Sequence, residues 1–372
     1  MKLASTPPAT TLADVGFFIS RAPYFPRLAY VEGPTGSPEI RISTCEEGFP
    51  WDRHVEASPY GCFAHATGWL EALRKLTGAD LQKLVIRKGN TVVAVCPVFV
   101  QRRGPLRLAY SPPLAGAVHH MGPAFMDYDS LTDRNRIRLL TGYQSAFDTL
   151  IEQGIRCNYV ELRFPPGFLD ARALQWAGYR IRLLYTRVVD LGAGPQAALR
   201  QSSPDLRRNV RKCEGRVVSR AASSEELPAF LRIVQSRYRE VGARYPLSSE
   251  FLSDLFRNMG PSRIQLFLAE EAGEIQTGLI LALHRHRATV WHGSARPQSS
   301  QLPVGDHLHW SALQWAHEHG FREFELMDAD SARLEEFKSK FNGRLLPVLH
   351  AERSKIWHRV AERIGRDRPA LF

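Results

Sequence analysis

Residues 264–283 read IQLFLAEEAGEIQTGLILAL, and this stretch sets the interpretation of the whole chain. Two apolar runs, 264–270 and 275–283, flank the turn-forming sequence Glu-Ala-Gly-Glu, which predicts a β-hairpin. Residues 83–101, KLVIRKGNTVVAVCPVFVQ, repeat the pattern around Gly89-Asn90, a dipeptide suited to a tight turn. The chain is therefore expected to carry the same antiparallel unit twice.

The elements around the two hairpins occur in the same order. Each hairpin is preceded by predicted helices and followed by a strand, a helix and another strand. In the second copy the predicted helices are 204–215, 227–241, 249–259 and 304–319, and the later strands are 288–293 and 323–328. This order predicts an α/β fold with mixed (α+β) sheets and a duplicated unit. No G-x-G-x-x-G or P-loop follows a strand, which argues against a Rossmann domain or a P-loop nucleotide site.

These elements divide the chain into four segments. We expect an irregular lead-in at 1–44, a first domain at 45–187, a second domain at 188–356 and a basic tail at 357–372. A chain of 372 residues is long enough for about two domains. The main site is expected in the second domain.

Charge and cysteine content limit the classes of function. The 49 Lys+Arg against 38 Asp+Glu give a net charge of +11, which favours nucleic acid, nucleotide-linked or anionic lipid partners. Five cysteines without C-x-x-C spacing indicate reduced thiols and a cytoplasmic location, not a disulfide framework or a zinc site. No apolar run has the length of a membrane helix, and residues 1–27 lack the apolar core of a signal peptide. We therefore expect no integral membrane association.

A cationic helix is predicted at the start of the second domain. Ser203 suits the N-cap and Pro204 the first helical position. The apolar side consists of Leu206, Val210 and Cys213, and the opposite side carries Arg207, Arg208, Arg211 and Lys212. Such a face is either an ordinary solvated surface or a surface that binds phosphates.

A second candidate segment is 334–343, LEEFKSKFNG. As a helix, Leu334, Phe337 and Phe341 form its apolar stripe, with Lys338 at the edge of the stripe and Lys340 facing away. Lys338 either approaches a partly dehydrated site or extends its ammonium to water.

Other reactive side chains lack the context of known sites. His119-His120 and the pair His284 and His286 have no H-E-x-x-H spacing, so no metal site is predicted. There is no G-x-S-x-G motif, and no cysteine stands beside a histidine in the sequence, so a covalent nucleophile is not indicated.

Several of these segments together resemble the FemABX family. The resemblance rests on the following stretches: YTRVVDL (185–191), RRNVRK (207–212), GSA (293–295), WAHEHGF (315–321) and FKSKFNG (337–343). Residues 63–69 and AVCPV (94–98) match more loosely, so that the resemblance covers about residues 45–350. It implies two tandem acyltransferase domains of the GNAT type. Family members include peptidoglycan-bridge aminoacyltransferases that use aminoacyl-tRNA, and looser relatives are N-acetyltransferases.

The chain departs from the family pattern at three places. The usual Gly-Gly after the second Phe is Asn342-Gly343, and the Asp-x-Gly-Gly-like strand end is Asp328-Ala329-Asp330. The loop that binds the pyrophosphate of coenzyme A in GNAT enzymes, [RQ]-x-x-G-x-[GA], corresponds to 298–306 and retains only Gly305. Asp306 is expected to repel a pyrophosphate there, so acetyl-CoA is disfavoured as the donor.

Three hypotheses about function remain. The first is an amide-forming transferase in which an amine attacks an aminoacyl ester on tRNA, so that no permanently bound cofactor is needed. The second is an acyl-CoA-dependent N-acyltransferase acting on a sugar amine or a polysaccharide precursor. The third is a non-catalytic binding module with a basic groove for nucleic acid or lipid-linked glycan. The acceptor is expected to be a small, nucleotide-linked or lipid-linked amine.

The resemblance also assigns roles to particular residues. It places Phe337 and Lys338 at the reacting centre, with Lys338 as the cationic partner of the ester or oxyanion. Asp328 and Asp330 are candidates for orienting the amine or taking its proton. The cationic set Arg207, Arg208, Arg211 and Lys212 would hold phosphates of tRNA or of the acceptor.

Overall fold

The computed structural model describes residues 40–240, 242, 244–293 and 300–354. The lead-in up to residue 39 and the predicted tail at 357–372 lie outside this part of the chain. The strands are β1 (Ile40–Thr44), β2 (Asp80–Lys88), β3 (Thr91–Arg103), β4 (Leu106–Ser111), β5 (Ala124–Phe125), β6 (Tyr159–Arg163), β7 (Arg180–Asp190), β8 (Val217–Ala222), β9 (Ile264–Glu271), β10 (Glu274–His284), β11 (Arg287–His292), β12 (Glu323–Asp328) and β13 (Arg344–Ser354). The α-helices are α1 (Trp51–Ala57), α2 (Thr67–Thr77), α3 (Asp133–Thr149), α4 (Arg172–Trp176), α5 (Pro195–Gln201), α6 (Pro204–Cys213), α7 (Leu227–Glu240), α8 (Ser249–Met259), α9 (Val304–Glu318) and α10 (Ala332–Ser339).

One mixed sheet runs through both halves of the chain. Its order is β1-β2-β3-β4-β6-β13-β7-β12-β11-β10-β9-β8, and β5 pairs with β3 beside this path. In the first half β1 to β4 are antiparallel neighbours and β4 pairs in parallel with β6 across α3. In the second half β8 to β11 are antiparallel neighbours and β11 pairs in parallel with β12 across α9. The predicted mixed α/β fold and its repeated unit are therefore confirmed.

The two halves exchange their last strands at the centre of the sheet. β7, which ends the first half, pairs with β12 of the second. β13, which ends the second half, pairs with β6 of the first, and β7 and β13 pair with each other. The predicted boundary between residues 187 and 188 therefore lies inside β7, and the division into two domains stays a prediction.

Two strands, β1 and β13, were not predicted from the sequence. Residues 40–44, within the predicted lead-in, form β1, because Ile40 and Ile42 alternate inward and the strand pairs with the edge of β2. β13 contains Pro347, a residue that usually argues against a strand between two neighbours. Here β13 nevertheless pairs along most of its length with β7, and Val348, Leu349 and Ala351 are buried.

The core holds the end of β11 in place. Trp69 of α2 is fully buried, and its ring packs edge-to-face on Trp291 of β11 with centroids 4.8 Å apart. The ring centroids of Phe251 of α8 and Trp291 are 6.3 Å apart, and the Trp291 indole N–H donates to the Gly116 carbonyl at 3.2 Å. Truncating a buried aromatic ring such as Trp69 to alanine typically costs about 3–5 kcal/mol. Trp291 is thus anchored by helices from both halves.

No helix in the described part of the chain combines the length and the apolar character needed to cross a membrane.

Candidate active site

The parallel strands β11 and β12 separate near the middle of the sheet. They pair only from Arg287 to Thr289 and from Glu323 to Glu325. Beyond these pairs the two strands diverge, and the next residues of both line a cavity of about 1090 Å³. Backbone groups on both sides of such a gap are available to hold a ligand.

A β-bulge redirects the end of β12 toward this cavity. Between Glu325 and Asp328, β12 advances three residues while β7 advances two, from Val188 to Thr186. The extra residue leaves Met327 with a φ of +52°, a conformation that a long side chain rarely adopts. Bulges of this kind re-aim side chains at functional sites. Here the bulge places Asp328 on the cavity wall.

The cavity wall carries more positive than negative side chains. Its cations are Arg163, Lys212, Arg237, Arg333, Lys338 and Lys340, and its acids are Asp306, Asp328 and Glu336. Residues 117–119 and Arg163 come from the first half of the chain, and the other lining residues come from the second. The cavity therefore lies where the two halves meet, and its charge suits an anionic ligand.

Lys338 enters the cavity from α10. The Ser331 hydroxyl caps this helix by accepting the Leu334 N–H, and the Lys338 ammonium donates to the backbone carbonyl of Asp328. Burial lowers the pKa of Lys338, although the nearby carboxylates of Asp328 and Glu325 oppose the shift. The structure thus holds a partly dehydrated ammonium at the end of β12, which is the first of the two alternatives that the sequence left open for Lys338.

Phe337 and Lys340 also line the cavity, which corrects the prediction that Lys340 faces away. Lys340 keeps α-helical backbone angles at the end of α10, and the side of the helix that it occupies faces Asp306 of α9 instead of solvent. The Lys340 ammonium forms an ion pair with the buried carboxylate of Asp306 at 3.1 Å and lies 5.2 Å above the Phe337 ring. Asn209 of α6 donates to the same carboxylate at 2.5 Å. Asp306 is therefore held from two sides, and the charge of Lys340 compensates its own.

The backbone at Asn342 and Gly343 explains one departure from the family pattern. Asn342 has a φ of +51°, a left-handed conformation that Asn tolerates better than most residues. A Cβ on Gly343 would lie 3.0 Å from the backbone of Val188, where β13 begins to pair with β7. Asn342-Gly343 can therefore adopt the backbone conformation that Gly-Gly adopts in the family pattern.

The four cations of α6 do not act as one surface. Only Lys212 lines the cavity, and Arg211 is exposed outside it. Arg207 donates to the Arg200 and Ser202 carbonyls at the end of α5, where a cation is favoured. Arg208 forms an exposed ion pair with Asp205 at 2.7 Å. Helical spacing put all four on one side, but two of them have local partners.

Beside Asp328 the structure brings together Asp330 and His119. His119 comes from the loop between β4 and β5. The His119 Nε2 lies 2.9 Å from Asp330 Oδ2, and the Asp330 N–H donates to Asp328 Oδ1 at 2.9 Å. Ligand-type atoms of the three side chains lie within 4.8 Å of one another. We interpret the group as a hydrogen-bonded network and assign no metal to it, because the carboxylates already accept hydrogen bonds and the Lys338 ammonium adjoins the group.

One cysteine does stand beside a histidine in space. Cys62 Sγ lies 3.1 Å from His65 Nδ1. The two residues are three apart in the chain, and a short 3₁₀ turn brings their side chains together. Both side chains are buried and do not line the cavity. Burial raises the pKa of the Cys62 thiol to about 12 and lowers that of His65 to about 4, so this pair lacks the thiolate that a nucleophile requires.

Comparison with protein families places the cavity in a known type of domain. Residues 200–339 match the model of the acetyltransferase (GNAT) domain. The chain is an acyltransferase whose GNAT-like segment spans residues 200–339. The matched range includes α6, the diverging strands β11 and β12, and Lys338. A comparison with curated protein sequences finds no match.

Solved structures extend the likeness of fold to most of the chain. The crystal structure of FemX matches with a TM-score of 0.65 and 13% identity, over 84% of this chain and 96% of FemX. L-PGS from Bacillus licheniformis matches with a TM-score of 0.53 and 14% identity, over 87% and 97% of the two chains. A conserved protein of unknown function from Bacteroides thetaiotaomicron gives 0.52 and 10% identity, over 82% and 96%. The acyltransferase thus shares its fold with FemX over both halves.

Sequence reasoning missed three residues of the acyltransferase cavity: His119, Asn209 and His309. His309 is buried, its Nδ1 lies 2.8 Å from the Gly305 carbonyl, and its ring packs against Phe337 at 4.9 Å. Burial lowers the pKa of His309 to about 4, which keeps the ring neutral. Helical spacing in α6 and α9 could have flagged Asn209 and His309 as facing each other's helix, whereas nothing local marks His119.

Proposed function

We propose that the chain forms an amide by transferring an aminoacyl group from aminoacyl-tRNA to an amine acceptor in the cavity lined by Lys338. The observation that carries this proposal is the ammonium of Lys338, held where β11 and β12 separate. An ester is already activated, so the protein needs to position the amine, accept its proton and stabilise the oxyanion. The FemABX-like segment around Phe337 and Lys338 supports the choice of donor.

The composition of the cavity wall supports such a mechanism. Lys338 would stabilise the oxyanion that forms when the amine attacks the ester carbonyl, and its burial makes this interaction stronger than in water. Lys212 at the cavity wall would contact a phosphate of the donor or acceptor. No cysteine lines the cavity within the described ranges, in keeping with direct attack by the amine.

A second candidate, transfer from acyl-CoA, is favoured by one observation. Asp306, which the sequence suggested would repel a pyrophosphate, is only 3% exposed, forms an ion pair with Lys340 and accepts a hydrogen bond from Asn209. The N-terminus of α9 therefore does not present a free negative charge to an anionic donor. The family model that matches this part of the chain is itself that of an acetyltransferase.

A donor comparison tests the two candidates against each other. The purified protein and a mixture of primary amines receive either tRNA charged with labelled amino acids or labelled acetyl-CoA. The proposal predicts label in an amide product with charged tRNA, and loss of that product when RNase is added before the reaction. Transfer from acetyl-CoA together with no RNase-sensitive transfer would replace the first candidate by the second.

A further inference from the structure

His309 presents one ring nitrogen to the cavity without a partner from the protein. It lies in the second turn of α9 and forms part of the cavity wall. Its Nδ1 is bonded to the Gly305 carbonyl at 2.8 Å. Its Nε2 has no hydrogen-bond partner among the described residues, yet it is not one of the nitrogens that are sealed from solvent. Because the whole residue is only 5% exposed, the surface that it retains belongs to the cavity.

The Gly305 carbonyl fixes which ring nitrogen carries the hydrogen. A carbonyl oxygen can only accept, so Nδ1–H donates to it, and the lone pair of the neutral ring is on Nε2. Burial lowers the pKa of His309 to about 4, and the charges of Lys338 and Lys340 act in the same direction. The ring is therefore neutral near pH 7, and Nε2 is a hydrogen-bond acceptor on the cavity wall.

Packing holds this acceptor in one orientation. The Phe337 ring packs against the His309 ring with centroids 4.9 Å apart, and the Phe341 ring lies at 5.9 Å. Lys338 follows Phe337 directly in α10, so the acceptor is near the ammonium to which the proposed function assigns the oxyanion. An acceptor that is fixed beside the reacting centre can recognise a donor group at one position of a ligand.

The charges around His309 determine which kind of ligand group it can bind. The ammoniums of Lys338 and Lys340 lie nearby, so a further cation, such as a protonated amine acceptor, is disfavoured here. The same two charges oppose protonation of Nε2, which makes His309 poorly suited to act as a base. A neutral hydroxyl would satisfy Nε2 without adding charge. In an aminoacyl ester of tRNA, the terminal ribose carries such a hydroxyl next to the ester.

We propose that His309 is a specificity residue of the cavity, whose Nε2 accepts a hydrogen bond from the free hydroxyl beside the ester of the acyl donor. The inference rests on the proposed function and names the part of the donor that this residue recognises. A donor without that hydroxyl would leave Nε2 unpaired once water is displaced from the cavity, and such a loss lowers the rate of transfer.

The test compares two donors that differ only in this hydroxyl. One is aminoacyl-tRNA with an intact terminal ribose, and in the other a hydrogen replaces the hydroxyl beside the ester. In the wild type the missing hydroxyl should lower kcat/KM by about 10–100-fold, because a polar group of the site loses its partner. His309→Phe keeps a flat ring beside Phe337 but lacks the acceptor. It should be slower than the wild type with the intact donor and should not distinguish the two donors.

His307→Phe is the matched control. His307 lies on the same helix, its Nδ1 is 2.9 Å from the Ser219 hydroxyl oxygen, and it does not line the cavity. This variant should keep the preference of the wild type for the intact donor. A variant that only disturbs the packing of α9 would slow both donors by the same factor, so the ratio of the two kcat/KM values isolates the hydrogen bond.

The outcomes separate this inference from the proposed function. If the wild type transfers nothing from intact aminoacyl-tRNA, the proposed function fails, and this inference fails with it. If the wild type uses both donors equally well, or if His309→Phe keeps the full preference, only the role of His309 fails. An acid limb of kcat/KM that His309→Phe removes would overturn the inference in favour of a base. Should His309→Phe not fold, as its melting temperature would show, His309→Leu takes its place in the same comparison.

Discussion

The ion pair between Lys340 and Asp306 makes a quantitative prediction about stability. The ammonium and carboxylate are 3.1 Å apart, with Asp306 3% and Lys340 27% exposed. At an effective dielectric constant of about 20, the gross attraction at this distance is about 5 kcal/mol. Removing one partner of a fully buried pair typically costs about 3–5 kcal/mol. Because Lys340 is partly exposed, we expect Lys340→Met to lower the free energy of unfolding by about 2–3 kcal/mol.

A double-mutant cycle isolates this pair. Asp306→Asn should cost less, about 1 kcal/mol, because Lys340 can then reach water and Asn209 keeps a partner. The double variant should be close to Asp306→Asn alone, so that the coupling energy equals the cost of Lys340→Met, about 2–3 kcal/mol. Urea unfolding followed by tryptophan fluorescence measures each value, with m compared between variants. Lys75→Met is the control, because Lys75 pairs with Asp254 at 3.4 Å but is 59% exposed.

Additive costs for the two single variants would refute the assignment of a buried pair. So would an effect of Lys340→Met no larger than that of Lys75→Met.

The remaining predictions concern charge at the cavity and at the central seam of the sheet. Lys212→Glu should raise the KM of an anionic donor several-fold, and the increase should be smaller at high salt. Arg208→Glu, outside the cavity, should leave this KM unchanged. Equal effects of the two variants, measured in rate assays at two salt concentrations, would show that Lys212 does not bind the donor. Burial alone would raise the pKa of Glu161, but His350 of β13 and Arg163 lower it to about 2. Its contribution of about 3 kcal/mol is therefore present above its unfolded pKa near 4.5 and lost as the pH falls toward 2. Glu161→Gln should make the free energy of unfolding depend less on pH between about 4.5 and 2. An unchanged pH dependence would contradict the lowered pKa of Glu161.

The local elements of the fold could be predicted from the sequence because they depend on near neighbours. The hairpins around Gly89 and Gly273 follow from alternating apolar residues and turn chemistry. The exchange of β7 and β13 could not be predicted, since strand pairing across the whole chain has no local signal. In β13, Pro347 even argued against a strand.

The candidate site shows the same limit. Lys338 could be singled out, because its place at the edge of an apolar stripe is a property of one helix. The surroundings of Lys340 could not, because its partner Asp306 lies on another helix that only the fold brings close. His119 comes from a loop in the other half of the chain and meets Asp330 only through the folded sheet. Helical spacing alone also could not show that Arg207 and Arg208 have local partners.

The central claim is that the cavity beside Lys338 is where the acyl group is transferred, and one comparison tests it most directly. We would measure kcat and the melting temperature of the wild type, Lys338→Met and Lys338→Arg with the donor that supports transfer. The account predicts that Lys338→Met lowers kcat by about 10²–10³-fold with little change in melting temperature, since one stabilising donor at the oxyanion is lost. Lys338→Arg keeps a cation and should retain part of the rate. A folded Lys338→Met variant with the turnover of the wild type would contradict the account.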